Sequence, residues 1–186
     1  MPRQKLTSDQ LVRLATVEFR RRGYAATTLA HLAAATGLTK GAFYHHFRDK
    51  AHVMEAALEA TLDFARERVF AVVGDAGRPL AARADCMVDG ARRLFRDPQQ
   101  GCFIANTALA GGEDGEQFRP LLVAFMDAWR AALTQLARDG GHADPEAFAV
   151  HTIGDVEGAI VLMRVYGDGA YLEVALARFR EHFPAA

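Results

Sequence analysis

The sequence predicts an all-α fold, a small basic head followed by a larger acidic body, and three observations carry that prediction. Apolar residues recur at helical spacing, with no period-two run and no hairpin signal. Glycine and proline breakers punctuate the chain at intervals of helix length. Charge is divided unevenly: residues 1–50 hold nine Lys/Arg against three Asp/Glu, a net of +6, and residues 51–186 hold thirteen against twenty, a net of −7, hidden in an overall −1. The expected division is therefore a three-helix head over 1–50 and a helical body over 51–186. At 51% hydrophobic and 24% charged residues the composition is that of a globular chain, not a disordered one.

Each element follows from local signals. Ser8 or Thr7 caps a first helix to Arg22, with Leu11, Leu14, Ala15 and Phe19 as its apolar face and Gly23 as its stop. Thr28 caps a short second helix whose inward face is Leu29, Leu32 and Ala33, and Gly37 breaks it. Thr39 caps a third, from Lys40 to about Phe47. A long fourth helix runs from Asp49 or Lys50 to about Val73 and meets the strongest breaker in the chain, Gly74 to Pro79. Helices follow over Leu80–Phe95, closed by Asp97-Pro98, and over Gly101–Ala110. A polar loop at Gly111–Gly115 leads to a long helix over Glu116–Arg138. Asp144-Pro145 opens the next, which reaches Tyr166, and the last spans Ala170–His182.

Two short capped helices joined by a glycine turn form a helix-turn-helix. Thr28 and Thr39 place a hydroxyl and free N–H groups at successive helix starts, where the dipole favours an anion. Lys40 stands at the start of the third helix, within reach of guanine O6/N7 or a phosphate. Gly41 and Ala42 allow close approach to base edges, and the Ala42 methyl suits a thymine methyl. Tyr44 and His46 lie one turn on as phosphate donors, Tyr44 with a half-buried core tyrosine as its alternative; His45 is either a contact or a solvated residue, and Lys50 reads as a phosphate contact. Phe43, Phe47, Leu32 and Leu38 fill the small core.

Phe19 with Gly23-Tyr24, Thr27-Thr28, Leu32-Ala33, Gly37-Leu38-Thr39, Gly41, Phe43-Tyr44, His46-Phe47 and Lys50 together make residues 8–55 closely resemble the DNA-binding signature of the tetracycline-repressor (TetR) family. The resemblance implies an all-helical homodimer on a palindromic double-stranded DNA operator, usually a repressor released by a small-molecule effector. It also implies a four-helix dimer contact built from the last two helices of each subunit. The two heads would then read half-sites about 34–36 Å apart, or a multiple of that. One departure stands out: Ala30 lies where many relatives carry a polar residue. His31 is the neighbour placed to substitute, so operator preference does not transfer.

In the body, Ser8 is the only serine of the chain and no His, Cys, Asp or Glu set has catalytic or metal-ligand spacing, so no enzyme, metal site or cofactor is expected. Large adaptable apolar residues, Phe64, Met87, Phe103, Phe118, Phe125, Met126, Trp129, Met163 and Tyr166, suit an ordinary core or, as a group, a cavity between helices. Asn106, Arg130 and His151 are the candidate polar anchors. Cys102, after Gly101 at an expected helix start, reads either as small buried packing or as a thiol made reactive by the helix dipole, the basis of an alternative redox or electrophile-sensing repressor. Gly154 and Gly158 share a face and permit close approach of another helix. No apolar run reaches the ~20 residues of a membrane span, the N-terminus lacks a signal-peptide core, and two cysteines suggest no disulfide framework; a cytoplasmic protein is expected.

Overall fold

The computed structural model describes residues 6–95, 97–110 and 112–184, with the backbone alone at 40 and 112–115. Among them there is no strand. The elements are α1 (Ser8–Arg22), α2 (Leu29–Thr36), α3 (Lys40–Tyr44), α4 (Lys50–Ala65), α5 (Leu80–Leu94), α6 (Phe103–Leu109), α7 (Gly112–Asp139), α8 (Pro145–Tyr166) and α9 (Ala170–Glu181).

In the head, α1 packs on α2 and α4, and α2 on α3. Thr7 and Gln10 close the start of α1 reciprocally, each side chain accepting the other's backbone N–H. Gly37 ends α2 in the left-handed region, φ 67°, which lets its N–H reach the Ala33 and Ala34 carbonyls. Leu11, Ala15, Phe19, Leu32, Phe43 and Phe47 form the core. Leu14, expected to face inward, is instead exposed. At 100° per residue it lies about 110° round α1 from the centre of the stripe made by Leu11, Val12, Ala15 and Phe19. The third helix was expected to reach Phe47 but stops at Tyr44. The His46 N–H tightens back onto the Phe43 carbonyl, and the turn brings the Phe43 and Phe47 rings together at 5.1 Å inside the core.

The fourth helix does not run unbroken to Val73. It stays α-helical to Ala65, widens into a π turn at Arg66–Phe70 and tightens into a 3-10 turn at Ala71–Gly74. The extra residue in the wide turn points both Val69 and Phe70 inward. Gly90 on α5 makes room for this, since a Cβ there would lie 2.7 Å from Val69. The loop expected at Gly111–Gly115 is another correction: α7 begins at Gly112, and Gly111 lies outside the described residues. Pro120 sits within α7, where its missing N–H removes one ladder bond.

In the body, α7 packs on α8, α8 on α9, and α5 on both α7 and α9. Arg83, nearly buried, donates to the Val73 carbonyl at 2.8 Å and to Asp139 at 2.6 Å, joining the 3-10 turn and α5 to the end of α7. Among the described residues, several contacts tie the head to α4 and to the body. Arg20 donates to the Leu94 carbonyl and lies 5.7 Å over the Phe103 ring. Tyr24 meets Phe118 edge-on at 5.0 Å. Lys50 donates to the Tyr24 carbonyl at 2.9 Å with its ammonium 4.0 Å from that ring's centre. No helix among the described residues is long and apolar enough to cross a membrane.

Candidate nucleic-acid interface and effector cavity

The outer side of α2 and α3 carries the residues singled out from the sequence. The Thr28 hydroxyl accepts the His31 N–H at 3.2 Å while His31 Nδ1 accepts the Thr28 N–H at 3.3 Å, so the imidazole serves as a reciprocal cap. Thr39 caps α3 through the Ala42 N–H at 3.2 Å. Thr28, Thr39, Gly41, Tyr44, His45 and His46 are all exposed and Ala42 is half-buried. Gly41 has no positive φ, and a Cβ there would meet nothing among the described residues, so none of them requires glycine there. Tyr44 is half exposed while its neighbour Phe43 is buried, which separates the two aromatics that the sequence places side by side. The backbone of Lys40 heads α3; its side chain lies outside the described residues.

Lys50 is placed differently from its sequence reading. Its ammonium is held on Tyr24, bracing the start of α4 against the turn after α1. Exposed Arg48, one residue before the Asp49 cap, is a cation that the helical pattern did not single out. It stands beside Tyr44, His45 and His46 in sequence, and that proximity was the available signal.

In the body, an apolar cavity of about 30 Å³ lies between the π turn, α5, α7, α8 and α9. Met87, Phe125 and Trp129, three of the expected residues, line it. Phe125 links the wall: its ring meets Phe70 at 6.0 Å and Trp129 at 6.3 Å, both edge-to-face. The other expected residues stand elsewhere. Phe64 is exposed on α4, Phe103 is buried under Arg20, and Met126 packs on the core from α7. Asn106 is held by Arg164 at 3.0 Å and by the Gln100 carbonyl at 2.9 Å. His151 is exposed on α8, and Arg130, also exposed, bonds Asp127. Thr152, next to His151, lines the cavity instead. It was missed because nothing in the sequence says which way that turn of α8 faces.

Cys102 caps α6, accepting the Ala105 N–H at 3.4 Å. The helix start does not make it acidic. Burial, and then the nearby carboxylate of Glu157, pushes the thiol well above the ordinary thiol range and outweighs the N–H bonds. Its burial fits the packing reading of the two.

A capped helix-turn-helix with an open polar face, carried on an all-helical body with its own apolar cavity, defines the class: a DNA-binding regulator. Comparison with known proteins agrees. Residues 11–57 match the family model for bacterial regulatory proteins of the tetR family, and residues 79–179 match that for the tetracyclin repressor-like C-terminal domain. The chain is 29% identical over 172 residues to the transcriptional regulator AcuR of Cereibacter sphaeroides, covering 86% of this chain and 77% of that protein. Over 72 residues, 39% of this chain and 35% of the other, it is 36% identical to the HTH-type transcriptional repressor KstR2 of Mycolicibacterium smegmatis. The crystal structure of a TetR transcriptional regulator from Chloroflexus aurantiacus superposes with a TM-score of 0.78 at 29% identity, over 94% of this chain and 92% of that one. The chain belongs to the TetR family and is a DNA-binding transcriptional regulator.

Proposed function

We propose that the protein is a homodimeric repressor that holds a palindromic operator and is released from it by a small-molecule effector. The observation that carries this reading is the course of α4 and its π turn. Lys50 at one end is fixed to Tyr24 of the head, and Val69 and Phe70 at the other end line the cavity. Those 21 residues span about 30 Å at 1.5 Å per residue. One continuous element therefore touches both places, and a ligand that prefers a wider cavity shifts the position of the head by as much as its two affinities differ.

The residues proposed to meet DNA are Thr28, Thr39, Lys40, Gly41, Ala42, Tyr44, His45 and His46, with Arg48 at the edge. Lys50 acts in this reading as a brace that sets the head's angle. The dimer contact proposed is the outer face of α8 with α9. Val150, Gly154, Gly158, Val161 and Val165 recur along one side of α8, all exposed, and Val174 of α9 is exposed as well. A glycine in a helix interior costs about 1 kcal/mol relative to alanine. A Cβ at Gly154 or Gly158 would meet nothing among the described residues, so close approach of a second copy supplies the reason for both.

The test is fluorescence anisotropy of the purified protein on DNA from upstream of its own gene, at two salt concentrations and against scrambled competitor. Tight, salt-steep binding with strong preference over competitor, lost on addition of an effector, is expected. Equal, weak binding to operator candidates selected from the whole genome and to scrambled DNA would overturn the reading.

A further inference from the structure

We propose that the body cavity takes a small neutral aromatic molecule of about one ring, carrying at most one hydrogen-bonding group, which Thr152 receives. This rests on the effector-released reading above and names the chemistry of the effector. The cavity wall carries it. The described lining residues are apolar except Thr152, and none is charged. The charged or titratable groups that the sequence offered as anchors, His151 and Arg130, are turned to solvent, and Asn106 is bonded to Arg164 on another side of the body. A carboxylate or ammonium entering this space would lose its water and gain no counter-charge, which such ions do not tolerate. A neutral molecule suffers no such penalty, and one hydroxyl can be met by one threonine.

The shape favours a ring. Phe70, Phe125 and Trp129 stand in an edge-to-face series, and a further flat ring continues that arrangement. The size limits the ligand from above. About 30 Å³ has room for about two waters, while a dry apolar cavity that takes benzene is about 150 Å³. The wall must therefore yield by roughly a ring, and two parts of it are built to do so. Met87 is unbranched and adaptable. Val69 and Phe70 belong to the π turn, whose extra residue can be taken up by rewinding toward α-helix. Entry of a ring thus moves the end of α4, and a molecule much larger than one ring would have to part α7 from α8.

Trp129 is the only tryptophan and lies in the wall, so its emission reports occupancy directly in the full-length protein. The probes are toluene, benzyl alcohol and benzoate, which share a ring and differ in polarity and charge. Toluene and benzyl alcohol are expected to change Trp129 emission saturably, with benzoate at least about tenfold weaker, the cost of one unpaired buried charge. Thr152→Val should weaken benzyl alcohol about fivefold and leave toluene unchanged, as expected from losing one hydrogen bond. Ala91→Leu, which fills the cavity from α5, should abolish both responses while unchanged helical content and a cooperative urea transition show that the body is folded. Benzoate binding as tightly as benzyl alcohol, or no saturable response to any of the three, would overturn the proposal. The two readings fail separately. A protein that selects its operator yet ignores all three probes loses this inference alone, whereas one without sequence preference for DNA loses the regulator reading whatever Trp129 reports.

Discussion

In the head, Thr7, Thr28, Thr39 and Asp49 close the starts of α1 to α4, each with a side-chain oxygen on a backbone N–H. In the body, α5 starts at Pro79 and α9 at Gly169 with no such bond, and of the described starts only α6, at Cys102, and α8, at Asp144, carry one. The difference follows from size. A head of some fifty residues has little apolar area to bury, so local terms of about 1 kcal/mol per cap decide whether helices as short as five and eight residues exist. The body has long helices and a large shared core, and it keeps imperfections there: a π turn, a proline within α7 and an apolar cavity. A reader of DNA needs a fixed surface. A sensor needs a part that yields.

The sharpest way to break this contrast is to remove the head's core. Phe43→Ala should cost about 3–5 kcal/mol and abolish DNA binding in anisotropy, while Trp129 emission, which reports the body, stays native. A simultaneous change in Trp129 would show that head and body fold as one unit. Next in size is the bridge of the body whose arginine is nearly buried. Asp139→Ala leaves the Arg83 guanidinium nearly buried with only the Val73 carbonyl, and should cost about 3 kcal/mol in urea unfolding at fixed protein concentration. Arg83→Met should cost less, because it removes the charge that needs a partner. Equal losses would mean that the arginine is held for its packing alone.

The caps give a smaller, cleaner comparison. Thr7→Ala and Thr28→Ala each remove one cap bond and should each lower stability by about 1 kcal/mol. Only Thr28 faces the proposed DNA side, so Thr28→Ala should also weaken operator binding about tenfold beyond Thr7→Ala, the usual worth of a hydrogen bond to a charged group. Equal affinities for the two variants would remove Thr28 from the interface.

The same contrast explains what could be read from the sequence. Caps, the αL glycine Gly37 and the Phe43/Phe47 spacing are local signals, and the starts of α1, α2 and α3 follow from them to within a residue. The π turn is not local: it sets Val69 against the space that Gly90 leaves twenty-one residues later. The placing of Lys50 on Tyr24, twenty-six residues away, is non-local too, as is the burial that keeps Cys102 protonated beside Glu157. Of the expected cavity residues, Met87, Phe125 and Trp129 line the space because they lie on helix faces that the apolar pattern already turns inward. Phe64 does not, since one aromatic on a helix as alanine-rich as α4 does not say which side is covered.

The smallest effect expected is at the surface, where α5 meets α9. Arg92 grips Glu173 with two parallel bonds, Nε to Oε1 at 3.0 Å and Nη2 to Oε2 at 2.7 Å, yet both side chains are about half exposed. Glu173→Gln should therefore cost no more than about 0.5 kcal/mol at neutral pH, and less in high salt. The arginine's hydrogen bonds hold the Glu173 carboxyl below its ordinary value of 4.5, so the folded state favours the charged form. That contribution is fully present above the unfolded value and disappears as pH falls through the lower, folded one. Wild type and Glu173→Gln should differ at pH 7, converge as the pH drops below about 4.5, and coincide once both states are protonated. The Arg83 and Asp139 pair, by comparison, joins the same α5 to α7 with its arginine nearly buried, and its removal should depend less on salt than that of the exposed pair. A gap between wild type and Glu173→Gln that persists in acid would assign the contact to packing and leave charge in this protein to the Arg83 bridge and the DNA-facing head.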